Sequence, residues 1–343
     1  MNFEKFDEIK KLLSVPKKIV IVSHRNPDGD AYGSSLALYH YLLKFDHIVT
    51  VVSPNEAPEF LNWLPAQDKI VIFEKEIEKG MQLLNEAEIV FTLDFNSLQR
   101  VGPKMLIPLE NIKPIFVMID HHQQPDSYAK YAFVDPESCS TSQLIYQFIE
   151  KLNHLEHIDQ DVATCIYTGI LTDTGSFRFP STTSLTHRIV ANLLDLGANN
   201  SEIYNRIHNV NTVNRVQLLG RALKNLRVLK EYHTAYITLS QKDLREFNFK
   251  KGDTEGFVNY ALSIENIIFA AIFIEDRKQG IIKISFRSSG TFSVNEFSRN
   301  HFNGGGHINA AGGKSEISLS RTIQKFTEIL PTYRAALKKS NEK

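Results

Sequence analysis

Three short apolar stretches in the first part of the chain break off directly into ionisable residues. Lys18–Ser23 (KIVIVS) leads into His24-Arg25-Asn26-Pro27-Asp28-Gly29-Asp30, Glu88–Leu93 (EIVFTL) into Asp94, and Pro114–Ile119 (PIFVMI) into Asp120-His121-His122. β-Branched runs of this length, closed by turn residues, read as buried strands. His47–Ser53 and Lys69–Phe73 are further strand candidates, whereas Ala31–Leu43, Thr141–Leu152 and Asp159–Leu171 carry helical spacing. The alternation predicts an α/β unit with a mostly parallel sheet and flanking helices. In such a sheet the carboxyl ends of the strands open onto the crevice where ligands bind, so the three ionisable breaks face one place.

The rest of the chain predicts a smaller α/β unit. From about Ser184 to Leu229 the pattern is helical, without a strong strand. His233–Leu239 (HTAYITL), Ile267–Ile274 (IIFAAIFI) and Gly280–Phe286 (GIIKISF) read as strands of a mixed sheet, with Arg277-Lys278-Gln279-Gly280 as a hairpin turn. Phe292–His301 and Leu319–Leu337 read as helices. At about 100–200 residues per domain the length fits two domains. The expected division is residues 1–185, a helical connector over 186–230, and a second domain over 231–340.

Lys plus Arg and Asp plus Glu number 39 each, so the chain is formally neutral. That argues against a whole-molecule basic field for gripping long nucleic acid, while a local site for a small anion stays open. Residues 201–230 carry six Arg or Lys against one Glu; solvated helix faces account for them more simply than a positive wall facing an anionic substrate. No run of about 18 apolar residues occurs, so no membrane span is expected. The charged start MNFEKFDEIKKLL lacks the pattern of a secretory signal, and Cys139 and Cys165 have no metal-type spacing and read as buried thiols. A cytoplasmic protein is expected.

Asn26-Pro27-Asp28-Gly29 alone is a turn with a helix-capping aspartate, but a turn needs neither His24 nor Asp30. Asp94 alone is equally a cap, and Asp173, in Thr172-Asp173-Thr174-Gly175, a helix end before a Gly turn. Asp120-His121-His122 directly after a buried strand is hard to explain as packing. Together, the aspartates and histidines suit two divalent ions, and oxygen and nitrogen donors without thiolate favour Mn²⁺ or Mg²⁺ over structural zinc. Such a pair can clamp a phosphoryl group and generate hydroxide for in-line attack, one carboxylate bridging the ions. Farther along, Gly304-Gly305-Gly306-His307 and Arg287 suit anion binding by close backbone N–H groups and a guanidinium.

These elements, in this order, resemble the DHH–DHHA1 phosphoesterases. The match runs through His24-x-Asn26-Pro27-Asp28-Gly29-Asp30-Ala31, Asp94, Asp120-His121-His122 and Asp173 to Gly304-Gly305-Gly306-His307, and covers nearly the whole chain. Length, the lack of extra domains and Arg100-Val101-Gly102 after Asp94 resemble the bacterial nano-RNase and pAp-phosphatase group. The resemblance implies a DHH catalytic domain followed by a DHHA1 substrate-binding domain; because the carboxylate and histidine motifs end by Asp173 and the glycines begin at Gly304, a cleft between the two is expected. It implies one cation on His24, Asp28 and Asp94 and another on Asp30, Asp94, His121 and Asp173, Mn²⁺ first and Mg²⁺ second. His122 would face the scissile phosphate, with Asp120 orienting it. Arg287, Gly304, Gly305, Gly306, His307 and Arg100 would hold substrate. The implied activity is hydrolysis of short oligoribonucleotides or 3′-phosphoadenosine 5′-phosphate by an activated water, in a monomer or homodimer. A cyclic-di-AMP or linear dinucleotide phosphodiesterase is the alternative; an inactive nucleotide-binding protein fits less well, because no ligand is missing.

Overall fold

The KIVIVS run forms β1 (Lys18–Ser23), whose side chains alternate between two apolar layers: Ile19 and Ile21 pack on one face of a sheet, Val20 and Val22 on the other. The sheet is completed by β2 (Ile48–Ser53), β3 (Val71–Ile72), β4 (Ile89–Leu93), β5 (Ile115–Asp120) and β6 (Tyr131–Val134). All neighbours are parallel, in the order β3-β2-β1-β4-β5-β6. The order reverses direction between β1 and β4, which opens a crevice at their carboxyl ends. β3 is shorter than expected, because Gln67–Lys69 closes a helical turn instead of extending the strand. The computed structural model describes residues 3–341 and divides into two units between Val210 and Asn211.

The helices of the first unit are α1 (Phe3–Leu12), α2 (Gly29–Leu43), α3 (Ile77–Glu86), α4 (Pro103–Asn111), α5 (Thr141–Lys151), α6 (Gln160–Asp173), α7 (Ser184–Asp195) and α8 (Asn200–His208). α2, α5 and α6 pack closely through glycine. A Cβ on Gly33 would lie 2.6 Å from the Cys165 carbonyl, and one on Gly169 would overlap Ser142. That close approach brings the first turns of α2 and α5 and the last turn of α6 to the same end of the sheet.

The second unit holds α9 (Val213–Lys224), β7 (Arg227–Leu229), β8 (Thr234–Leu239), α10 (Gln241–Glu246), α11 (Phe257–Leu262), β9 (Phe269–Asp276), β10 (Ile281–Ser288), α12 (Val294–Phe302), β11 (Gly305–Gly306), β12 (Ala310–Ser315) and α13 (Leu319–Asn341). Its sheet runs β11-β12-β10-β9-β8-β7 and is mixed, parallel between β8 and β9 and antiparallel elsewhere. The expected hairpin joins β9 to β10. Phe269, Phe273, Phe286, Phe297 and Phe326 interlock beneath it. The helical stretch after Ser184 is shared out: Ile189, Val190, Leu193 and Ile203 bury in the first unit, Leu218 and Ala222 in the second. No described helix is long and apolar enough to cross a membrane, and Cys139 and Cys165 are buried thiols.

Candidate metal centre

His24 leaves β1 at its carboxyl end. Its Nδ1–H donates to the Arg25 carbonyl (2.9 Å), which turns Nε2 toward Asp94 Oδ2 (3.3 Å) and Asp28 Oδ2 (3.9 Å). His121, just past β5, repeats the arrangement. Its Nδ1–H donates to the Ser138 carbonyl (3.2 Å), and Nε2 faces Asp94 Oδ1 (3.4 Å), Asp173 Oδ2 (3.4 Å) and Asp30 Oδ2 (3.8 Å). An imidazole whose Nδ1–H is engaged by a backbone carbonyl offers Nε2 as the electron-pair donor, the tautomer a metal ligand requires.

Asp94 follows β4 in the left-handed region, at φ 65°. A non-glycine residue there costs roughly 1–2 kcal/mol, and strain of this kind collects at functional sites. Asp28 meets both readings of the sequence. Its Oδ1 caps α2, accepting from the N–H groups of Asp30 (3.0 Å) and Ala31 (3.1 Å), while Oδ2 faces His24. Asp120 is fully buried; Oδ1 accepts from His122 Nδ1 (2.7 Å), and Oδ2 has no hydrogen-bond partner among the described residues. Arg100 is exposed on the turn after β4, and its charge works against protonation of His24.

Sequence reasoning missed the segment after β6. Asp30 takes the N–H of Thr141 on Oδ2 (2.6 Å) and of Ser142 on Oδ1 (2.8 Å), so it sits on the N-terminus of α5, where a helix favours an anion. The Thr141 hydroxyl donates to Asp94 Oδ1 (3.0 Å). Ser140 is the local cap of α5, accepting from Gln143 N–H (3.0 Å). The extra hydroxyls of Ser140-Thr141-Ser142 were therefore the available signal, more than one cap requires.

Burial lowers the pKa of His24 and His121, but hydrogen bonds to Asp94 and the surrounding carboxylates outweigh it and carry both above the ordinary imidazole value, His121 well above. Burial raises Asp94 in turn, yet the two imidazoles hold it well below the carboxylate range. Burial, then the charges of Asp94 and Asp173, pushes Asp30 well up. Asp173 is pushed up to about 7 by burial and by Asp28 and Asp94, against the pull of His121. Protons hold the cluster together electrostatically, and cations can take their place. The donors fit two such ions: one atom each of His24, Asp28 and Asp94 converge within 4.8 Å, as do those of Asp30, Asp94 and His121, and Asp94 belongs to both groups.

In the second unit Arg287 stands opposite Ala310, and Ser285 opposite Gly312, at positions that alternate with buried Ile282, Ile284 and Phe286. The glycine segment is a hairpin of β11 and β12, with His307 in its turn, hydrogen-bonded through N–H to the Ala310 carbonyl (2.7 Å). A Cβ on Gly304 would overlap the Gly312 carbonyl, and one on Gly306 the Ala310 carbonyl, whereas Gly305 has nothing nearer than 3.6 Å. Asn309 braces the turn through Ser288 Oγ (2.9 Å) and the Gly290 carbonyl (3.1 Å). The basic stretch is largely engaged locally: Arg221 pairs with Asp243 (2.7 Å) and Glu246 (2.8 Å), and Arg206 with Glu202 (3.5 Å).

A parallel sheet that gathers carboxylates and imidazoles at its switch point suits metal-assisted hydrolysis. Residues 18–170 match the N-terminal domain of the DHH family, and residues 230–339 match the DHHA1 domain, so the chain belongs to the DHH–DHHA1 phosphoesterases, which hydrolyse phosphate ester bonds. It is similar to the bifunctional oligoribonuclease and PAP phosphatase NrnA of Thermus thermophilus, 30% identical over 93% of this chain and 91% of that one. The NrnA of Bacillus subtilis is 28% identical over 89% and 91%. The crystal structure of an exopolyphosphatase-related protein from Bacteroides fragilis matches with TM-score 0.94 and 38% identity over 98% of both chains.

Proposed function

We propose that this chain removes nucleotides from very short oligoribonucleotides and dephosphorylates 3′-phosphoadenosine 5′-phosphate, using two Mn²⁺ ions, in the cytoplasm. The observation that carries the reading is the division of Asp94 between two imidazoles, Oδ2 toward His24 and Oδ1 toward His121. His24, Asp28 and Asp94 would hold one ion, and Asp30, Asp94, His121 and Asp173 the other. Bound there, the ions would supply a nucleophilic hydroxide at neutral pH and neutralise the phosphoryl oxygens. Asp120 accepts from His122 Nδ1 (2.7 Å) and would orient that ring toward the scissile group. Arg100 would attract the substrate's phosphate at the rim. Arg287, His307 and the Gly304–Gly306 backbone would bind the nucleotide. The names of the two NrnA relatives and the neutral charge both support short substrates.

The test is turnover of 3′-phosphoadenosine 5′-phosphate, a dinucleotide, five-nucleotide RNA, fifty-nucleotide RNA, cyclic di-AMP and pyrophosphate, each with Mn²⁺. Preference for the first three supports the reading. Fastest turnover of cyclic di-AMP, pyrophosphate or the long RNA overturns it.

A further inference from the structure

The segment from Ser138 to Ser142 touches three of the groups assigned to the second cation and none of those unique to the first. The Ser138 carbonyl fixes His121, the Thr141 and Ser142 N–H groups hold Asp30, and the Thr141 hydroxyl holds Asp94. The last of these is a side-chain contact that a single substitution can delete; the Ser142 hydroxyl makes a longer one, to the Asp30 carbonyl (3.5 Å). The Thr141 contact falls on Oδ1 of Asp94, the oxygen that faces His121, while Oδ2, facing His24, receives nothing from this segment.

We infer that Thr141 is a positioning residue for the second cation, one that sets the direction of the shared carboxylate from the His121 side; the inference rests on the two-cation reading of the site. Asp94 stands in a left-handed turn, where its backbone alone does not fix the carboxylate plane, and with Oδ2 kept beside His24 a tilt of the carboxylate moves chiefly Oδ1. The hydroxyl donor, held by a fully buried residue at the start of α5, stops that tilt. It also links Asp94 to Asp30 through one residue, since Thr141 donates its N–H to Asp30 Oδ2 and its O–H to Asp94 Oδ1. Two ligands of the second ion are thus placed by the same turn, from a stretch of chain 111 residues beyond Asp30. Outer-shell hydrogen bonds of this kind change metal affinity by about 10–100-fold.

The experiment measures Mn²⁺ stoichiometry and affinity by titration calorimetry on the full-length protein, with electron paramagnetic resonance to distinguish an exchange-coupled ion pair from isolated Mn²⁺. Thr141→Val keeps the shape and the N–H but removes the hydroxyl; Thr141→Ala tests the same loss should valine disturb folding. Both are expected to weaken one of the two ions by roughly 10–100-fold and to replace the coupled signal with that of an isolated ion. Adding His24→Gln should then remove the remaining ion. Thr141→Ser should restore both ions. Two ions bound as in the unmodified protein, or equal weakening of both, overturns the role given to Thr141. A single ion in the unmodified protein overturns the two-cation reading itself.

Discussion

Asp94 holds its Oδ2 3.3 Å from Nε2 of His24, and does so from a left-handed backbone. Strain at this residue and the pairing it permits belong together. An extended residue at the end of β4 would continue the strand direction, whereas φ 65° swings the side chain out at the switch point.

Asn tolerates that backbone better than most residues, so Asp94→Asn should keep the turn, while removing the anion between two buried imidazoles should cost the metal-free protein about 3–5 kcal/mol. It gives up the shared anionic ligand, and activity should fall by more than the ~100-fold that losing an outer-shell partner costs. Metal content by mass spectrometry, together with circular dichroism, checks this. A well-folded variant that keeps both ions and near-normal turnover would show that Asp94 bridges nothing.

The cluster also makes the metal-free protein sensitive to pH. The folded values of His24 and His121 are raised, so the stability they contribute is present below about 6.5 and is lost as pH rises through those values. Asp173 has the same sign: its contribution is present below the ordinary carboxylate range and lost as pH rises through about 7. Asp94 has the opposite sign, its contribution being lost only as pH falls below the carboxylate range. From pH 6 to 8 the metal-free protein should therefore lose stability, and Mn²⁺, replacing the protons, should restore it. The rise in Tm on replacing chelator with Mn²⁺ should be larger at pH 8 than at pH 6. An equal or smaller rise at pH 8 contradicts the account.

The strand ends that carry these groups were legible from sequence because each is an apolar run closed by an ionisable residue, as in Ile89–Leu93 before Asp94. β6 was not, since Tyr131–Val134 is four residues long and alternates buried with less buried positions. β7 was hidden in the same way, with exposed Arg227 and Val228 in a helical-looking stretch. The first metal ligands sit within a few residues of one strand or turn, but the hold of Thr141 on Asp30 and Asp94 joins segments far apart, which no local pattern displays. The glycines were read as an anion cradle because consecutive glycines let backbone N–H groups come close, with His307 and Arg287 as the accompanying signal. The fold divides them, because Gly304 and Gly306 are required by their own hairpin and Gly305 is not.

That division is testable. Gly304→Ala and Gly306→Ala push a Cβ into backbone carbonyls, at a cost of at least about 1–3 kcal/mol, and Gly306 also has φ 149°. Gly305→Ala has room, so it should leave Tm nearly unchanged. Any loss of nucleotide affinity in that variant then reports on ligand approach rather than on folding. Thermal unfolding of the three variants gives the order. A Gly305→Ala protein as destabilised as the other two would remove the distinction.

Arg287 is the group through which binding can be separated from chemistry. It lies on β10 in the second unit, among small neighbours at Ser285, Ala310 and Gly312, and its guanidinium donates to the Phe286 carbonyl (3.0 Å). That contact fixes the side chain with part of its fork, and a planar fork that also grips a phosphate is something lysine replaces poorly. None of the residues assigned to the two cations lies in this unit. Arg287→Ala should therefore keep its full complement of Mn²⁺ while losing roughly 10–100-fold in kcat/KM on nucleotides, the value of one hydrogen bond to a charged group. Most of the loss should appear in KM, with some fall in kcat because remote binding energy helps to position the reacting centre. Bis-p-nitrophenyl phosphate, which carries no nucleotide, should be hydrolysed almost as well as by the unmodified protein. Arg287→Lys should recover little. Equal losses on both substrates would mean that Arg287 serves the reaction rather than recognition, and loss of bound Mn²⁺ would mean that it supports the metal centre.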